Sequence, residues 1–262
     1  MDSAWVVDAF SDHEYAGNPA AVVMLDGTFP PVEQMQAIAT GLALPTTAFV
    51  VERRPLDFAI RWFTPGAELK ICGHATIATM GYLYDVARVQ TDGDLLFHTH
   101  SGPLHAHREG ELMFLSLPTM YAGPAMPPKR LGGALGAPIC HFGRAVDDYL
   151  VLLDSEETVT RLAPDFEAIK TFDCRGLIVT ALSRRSGVDF VSRSFFPALG
   201  VDEDQVCVSA HCKLAPFWSE RLSKRCMTAL QLSQRGGRLI VRAAGDRVHV
   251  AGKALVRHRV SL

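Results

Sequence analysis

A chain of 262 residues that is 48% hydrophobic and 21% charged reads as globular, with room for one large domain or two of medium size. Its formal net charge of −2 gives no electrostatic reason to expect nucleic acid or an anionic membrane as partner, and no apolar run approaches the roughly 20 residues of a membrane span. Six scattered cysteines (Cys72, Cys140, Cys174, Cys207, Cys212 and Cys226) form no C-x-x-C pair, which favours free thiols in a reduced, cytoplasmic protein.

The opening MDSAWVVDAF lacks a basic stretch followed by an apolar one, so it reads as a first strand rather than a signal peptide. AAVVML (20–25) predicts a second strand, and VEQMQAIATGL (32–42) an amphipathic helix. TAFVVE (47–52) and DFAIRWF (57–63) are short strand patterns. ATIATMGYLY (75–84) is apolar on nearly every face, so it predicts an enclosed helix. A strand–turn–strand signal follows over 95–118, ending in the strand ELMFLSL (111–117). Prolines and a glycine in LPTMYAGPAMPP (117–128) mark a linker. DDYLVLL (147–153) and GLIVTAL (176–182) predict further strands. SAHCKLAPFWSERL (209–222) is a more polar helix that Pro216 is expected to kink or delay, and a second strand–turn–strand signal spans 230–252.

The chain repeats itself. DFAIRWFTP (57–65) and DFVSRSFFP (189–197) share the pattern D-F-x-x-R-x-F-x-P at an offset of 132 residues. Cys72 follows the first copy and Cys207 the second, each with an alanine three positions later (Ala75, Ala210) and then a helical segment. The two strand–turn–strand signals come next, with Ser101 and Ser233 again offset by 132. The expected fold is therefore α+β in two pseudo-symmetric halves, 1–120 and 121–262, each a mixed sheet rolled around one buried helix. The C-terminal strand is a candidate to complete the first half.

A helix N-terminus offers unpaired N–H groups and partial positive charge, which hold anions and favour thiolate. Cys72 and Cys207 both fall at such mouths. If the halves face each other, two thiols flank one bound carboxylate, an arrangement suited to removing a proton from one face of a carbon and returning it on the other. Backbone N–H groups near Gly73–His74 and Val208–Ser209 would grip the acid, with no metal or organic cofactor required. A lone cysteine in an apolar context is usually inert; the repeat sets Cys72 and Cys207 apart, and the other four are assigned structural roles. His98, His100, His105 and His107 lie in one hairpin, but no cysteine or carboxylate completes a zinc set, so no metal is expected.

DAFSDHEYAGNPAAVV (8–23), RWFTPGAELKICGHATIA (61–78) and GVDEDQVCVSAHCKLAPFW (200–218) resemble the PhzF-like family, named for a phenazine-biosynthesis isomerase, across nearly the whole chain. The resemblance implies a diaminopimelate epimerase-like fold, two β-barrel-like halves with the site in the cleft between them, and a cofactor-independent, often dimeric isomerase that moves a proton on a small carboxylic acid. The family's histidine falls on His74, its aspartate on Asp204 and its serine on Ser209. Asn18, in the first motif, joins Gly73, Thr46, Val208 and Ser209 as candidate substrate-binding residues. Cys72 and Cys207 match the catalytic cysteine pair of the related epimerases and racemases. Three positions depart from the family: Thr46 stands where the family has its acid/base glutamate, Gln205 in place of a proline, and Val208 in place of a glycine. Threonine cannot shuttle a proton near neutral pH as a carboxylate can. The alternative reading is a catalytically impaired member that binds a metabolite or a protein partner.

Overall fold

Near-continuous apolar runs form strands covered on both faces, while alternating ones leave a side to solvent. The computed structural model describes residues 2–91 and 93–262. It opens with β1 (Ser3–Ala9) and β2 (Asn18–Leu25), of the first kind. Helix α1 (Val32–Leu42) buries Met35 and Ala39, four residues apart, against Phe49 and Phe63. Strands β3 (Thr46–Arg54), β4 (Asp57–Phe63) and the short β5 (Glu68–Leu69) lead into helix α2 (Gly73–Asp85). After it come β6 (Leu95–Thr99), β7 (Gly102–Glu109) and β8 (Leu112–Pro118).

The next segment holds β9 (Gly123–Pro124), α3 (Leu131–Leu135), β10 (His141–Ala145), β11 (Asp148–Leu152), α4 (Glu156–Arg161) and α5 (Phe166–Lys170). It continues through β12 (Gly176–Leu182), β13 (Phe190–Phe196), β14 (Val201–Asp204), α6 (Val208–Leu222), β15 (Cys226–Gln231), β16 (Gly237–Ala244) and β17 (Arg247–Gly252). The last strand, β18 (Ala254–Ser261), runs antiparallel to β1 from Ala9↔Ala254 to Ser3↔Ser261. The chain divides into two compact units, one of residues up to Leu117 with Ala251–Leu262, the other Pro118–Val250.

Strand pairing shows the duplication. Parallel β2–β3 pairs Ala20 with Thr46, and parallel β11–β12 pairs Asp148 with Gly176. Antiparallel β3–β4 sets Thr47 against Phe63, and β12–β13 sets Leu177 against Phe195. Parallel β4–β6 and β13–β15 follow, with α2 and α6 inserted at the same point of each unit. The repeated D-F-x-x-R-x-F pattern is a physical unit. Arg61 forks onto Glu68 of β5 with two bonds of 2.7 Å and lies over Phe63; Arg193 forks onto Glu203 of β14 at 2.7 and 2.8 Å and lies over Phe195.

Ten of the thirteen residues of α2 are buried, against β1, β2, β3 and β18. Small residues permit this: a Cβ added at Gly81 would stand 2.6 Å from the Ala254 side chain of β18. In α6 the expected delay at Pro216 does not occur, since the helix begins at Val208 and continues past the proline to Leu222. Proline removes the N–H that the carbonyl four residues earlier would use. That carbonyl, on Cys212, accepts instead from the Met120 N–H at 3.2 Å, so the break in the helical ladder is repaired by the segment following β8.

Candidate active site

The connection from β5 to α2 leaves Cys72 in extended backbone (φ −145°, ψ 103°) as the residue before the first turn. Its carbonyl accepts from the Thr76 N–H at 3.2 Å and from Thr76 Oγ1 at 2.7 Å, which fixes the cysteine against the helix. Cys72 Sγ lies 3.5 Å from His74 Nδ1 and 3.6 Å from Thr46 Oγ1. Thr46 opens β3, and the parallel register pairs it with Ala20; Asn18, at the start of β2, is therefore at the same end of the sheet, and both residues are buried. Burial raises the Cys72 thiol, but the imidazolium charge and hydrogen bond of His74, the Ala75 N–H and the Thr46 hydroxyl together outweigh it, so the thiol is held below its ordinary value. The first unit thus brings together Cys72, His74 and Thr46, with Gly73 as the first residue of α2.

The second mouth has the same backbone and different neighbours. Cys207 precedes α6 in extended backbone (φ −103°, ψ 104°), and its carbonyl lies 2.8 Å from Nδ1 of the buried His211. Gln231 clamps the approach: its Oε1 accepts from the Cys207 N–H at 2.8 Å and its Nε2 donates to the Asp204 carbonyl at 2.6 Å. Cys207 Sγ is 3.4 Å from Ser209 Oγ. Burial and the nearby Asp204 charge push the Cys207 thiol up; hydrogen bonds from Ser209 and the Ala210 N–H and the charge of Arg175 oppose this without cancelling it. Val208 is the first residue of α6 and is buried. The second unit thus sets Ser209 beside the Cys207 thiol and the charge of Asp204 near it.

Sequence reasoning missed Arg175, Asp148, Lys213, Gln231 and His211. Asp148, fully buried, accepts from Arg175 Nε at 2.9 Å and Nη2 at 2.5 Å, and from Lys213 Nζ at 2.7 Å. One signal was present: Lys213 interrupts an otherwise apolar stretch of α6, four residues and one turn after Ser209. The other four cysteines are free thiols, with burial pushing Cys212 up to about 12 and Cys174 up to about 11. Three of the four hairpin histidines answer to separate carboxylates: His98 lies 2.9 Å from Asp57, His100 3.8 Å from Glu68 and His107 3.1 Å from Glu109. Among the described residues, no group of three or more His, Cys, Asp or Glu could hold a metal, and no helix is long and apolar enough to cross a membrane.

This is a mixed α+β protein built twice on one plan, with a buried thiol at the mouth of the main helix in each unit, the class of fold found in epimerases and racemases. A probable proline racemase from Agrobacterium radiobacter shares it at TM-score 0.69, covering 100% of this chain and 93% of its own; at 11% identity the likeness is one of fold alone. The chain belongs to the PhzF family: the family described as phenazine biosynthesis-like protein matches residues 7–259. A Pseudomonas aeruginosa protein named an uncharacterized isomerase is 46% identical over 251 residues, 95% of this chain and 94% of its own. A crystal structure of a PhzF family protein from Enterococcus faecalis matches with TM-score 0.93 at 38% identity, covering 100% and 99% of the two chains. Family and relatives together support an isomerase or epimerase activity in general terms.

Proposed function

We propose that this protein is a cofactor-independent isomerase or epimerase that moves a proton on a small carboxylic acid, with Cys72 as base and Cys207 as acid. The observation behind this reading is the opposed treatment of the two thiols. Cys72, beside His74 and Thr46, is biased towards thiolate; Cys207, beside Asp204, is biased towards thiol. A base and an acid of one chemical type, held in opposite states, suit a reaction that must run in both directions.

In the forward step the Cys72 thiolate takes a proton from the carbon next to the carboxylate, and the C–H electron pair passes into the enolate-like acid. The Cys207 S–H then returns a proton to carbon, and the exchanged states of the two thiols serve the reverse reaction. His74 balances the charge of the Cys72 thiolate, and Asp204 is the second proton carrier beside Cys207. N–H groups at Gly73–His74 and Val208–Ser209, the Ser209 hydroxyl and Asn18 hold the acid. Thr46 cannot do the work of the family's glutamate; its hydroxyl instead donates to the Cys72 thiolate, leaving the thiol as the proton carrier.

Thr46 also favours a second reading, a member that binds a metabolite or protein partner without turning it over. Solvent exchange separates the two. The protein is incubated in D₂O with pools of amino acids, hydroxy acids and cyclic unsaturated acids, and mass spectrometry looks for deuterium at carbon. Incorporation that Cys72→Ser and Cys207→Ser each abolish is the expected result. Incorporation that survives both moves the chemistry to Asp204 and His74. No incorporation across the pools favours the binding reading.

A further inference from the structure

Two cations, the buried Lys213 and the partly exposed Arg175, converge on one residue at the mouth of α6. Arg175 Nη2 donates to Ser209 Oγ at 3.3 Å, and Lys213 Nζ donates to the Ser209 carbonyl at 3.4 Å. Both cations are held by the same carboxylate, Asp148, which is 0% exposed; Lys213 is 1% exposed. A largely buried ion cluster is weak support for stability, because desolvation offsets the attraction. Nor does the fold require it: in the first unit the register position matching Asp148 is Ala20.

We infer that Arg175 is a positioning residue for the second thiol: locked by Asp148, itself braced by Lys213, it orients Ser209 towards Cys207 and supplies the charge that lets Cys207 exist as thiolate. The hydrogen-bond directions give the mechanism. Guanidinium has only donors, so Ser209 Oγ must accept from it. The Ser209 hydroxyl proton is then left to point elsewhere, and Cys207 Sγ is 3.4 Å away. An acid that has given up its proton needs its conjugate base held until the return step. The groups facing Cys207 make this a balance. Asp204, at the end of β14, disfavours the thiolate, while Arg175, just before β12, favours it. Gln231 of β15 and His211 of α6 engage its N–H and carbonyl, and behind Arg175 the charges of Lys213 and Asp148 offset each other. Asp147, half-exposed, lies 3.4 Å from Arg175 Nε.

The inference deepens the thiol-pair reading, and its test is independent of turnover. Full-length protein is treated with iodoacetamide between pH 6 and 10, and carbamidomethylation of Cys207 and Cys72 is followed separately by peptide mass spectrometry. Arg175→Gln is expected to slow Cys207 about tenfold on the rising limb and to move its profile up by about one pH unit, the effect of losing one nearby opposite charge. The profile of Cys72 stays in place. Arg175→Lys, which keeps the charge without the fork, recovers most of the shift. Ser209→Ala serves as the second variant should Arg175→Gln not fold, and it is expected to slow Cys207 with Arg175 intact. An unchanged Cys207 profile in these variants, or equal changes at both thiols, overturns the inference. A shifted profile without deuterium incorporation from any acid keeps the inference and removes the isomerase reading.

Discussion

Cys72 and Cys207 hold the same place in two copies of one plan, each in extended backbone before a long helix, each with its carbonyl engaged by the side chain four residues on. That side chain is Thr76 in the first unit, through Oγ1 at 2.7 Å, and His211 in the second, through Nδ1 at 2.8 Å. The frame is common and the electrostatics are opposed. Two residues after the cysteine stands His74 in one unit and Ser209 in the other. At the start of the flanking strand, Thr46 offers a hydroxyl where Gly176 offers none, and the charge near that second position comes from Arg175 and Asp204. The comparison teaches that backbone geometry places the thiols and side chains decide their protonation. A helix N-terminus lowers both thiols alike; the contrast between them has to come from the neighbours.

The largest expected effect breaks the second mouth alone. Asp148→Asn leaves the buried Lys213 without its counter-charge and the partly exposed Arg175 with only Asp147, which destabilises by about 3–5 kcal/mol. Urea unfolding should report the loss, and hydrogen exchange should find it concentrated in Pro118–Val250, because the first unit has Ala20 at the matching place. A loss below about 1 kcal/mol would mean the cluster is not the tight element described above.

Acid sharpens the comparison next. The buried His211 has its pKa pushed from near 6.5 down to about 4 by burial, and its Nε2 has no hydrogen-bond partner among the described residues. Between those values the unfolded chain holds a proton on this residue that the native chain does not, so stability falls as pH falls through the window. The contribution approaches about 3 kcal/mol at pH 4. Thr76, its counterpart, does not titrate. His211→Gln should flatten the pH dependence of the urea midpoint between pH 7 and 4 by that amount; an unaltered slope would assign the acid sensitivity to other groups.

Which of this the sequence could show depends on how local the interaction is. The duplication was legible because Arg61 and Phe63, or Arg193 and Phe195, make one unit within a few residues. Helix α2 was legible because a run such as ATIATMGYLY has no polar face to leave in water. The thiols stood out through the repeat. The ion cluster did not, since Asp148, Arg175 and Lys213 are distant in the chain and meet only through the parallel β11–β12 pairing and the first turns of α6. The delay expected at Pro216 failed for a related reason: the group that satisfies the carbonyl freed by the proline, the Met120 N–H, lies far away in sequence.

The first mouth breaks more gently. His74→Asn removes the charge and hydrogen bond that offset burial at Cys72. Its alkylation profile should move up by about one pH unit while that of Cys207 remains, the mirror image of the Arg175→Gln experiment. Equal movement at both thiols would show that the two mouths do not have separate electrostatics.

Thr46→Val is the smallest change and tests what replaced the family's glutamate. Valine keeps the shape and removes the hydroxyl 3.6 Å from Cys72 Sγ, a long contact and a weaker influence on this thiol than His74. One weak donor to a thiolate corresponds to a shift of only a few tenths of a pH unit, about twofold in alkylation rate on the rising limb. Deuterium exchange should fall in the same proportion if Cys72 is the base and Thr46 merely supports it. If Thr46→Val abolishes exchange while the Cys72 profile hardly moves, the hydroxyl belongs to the proton path or to the grip on the acid. The position where the family has its carboxylate would then still be part of the chemistry, through a threonine that passes or orients a proton rather than storing one.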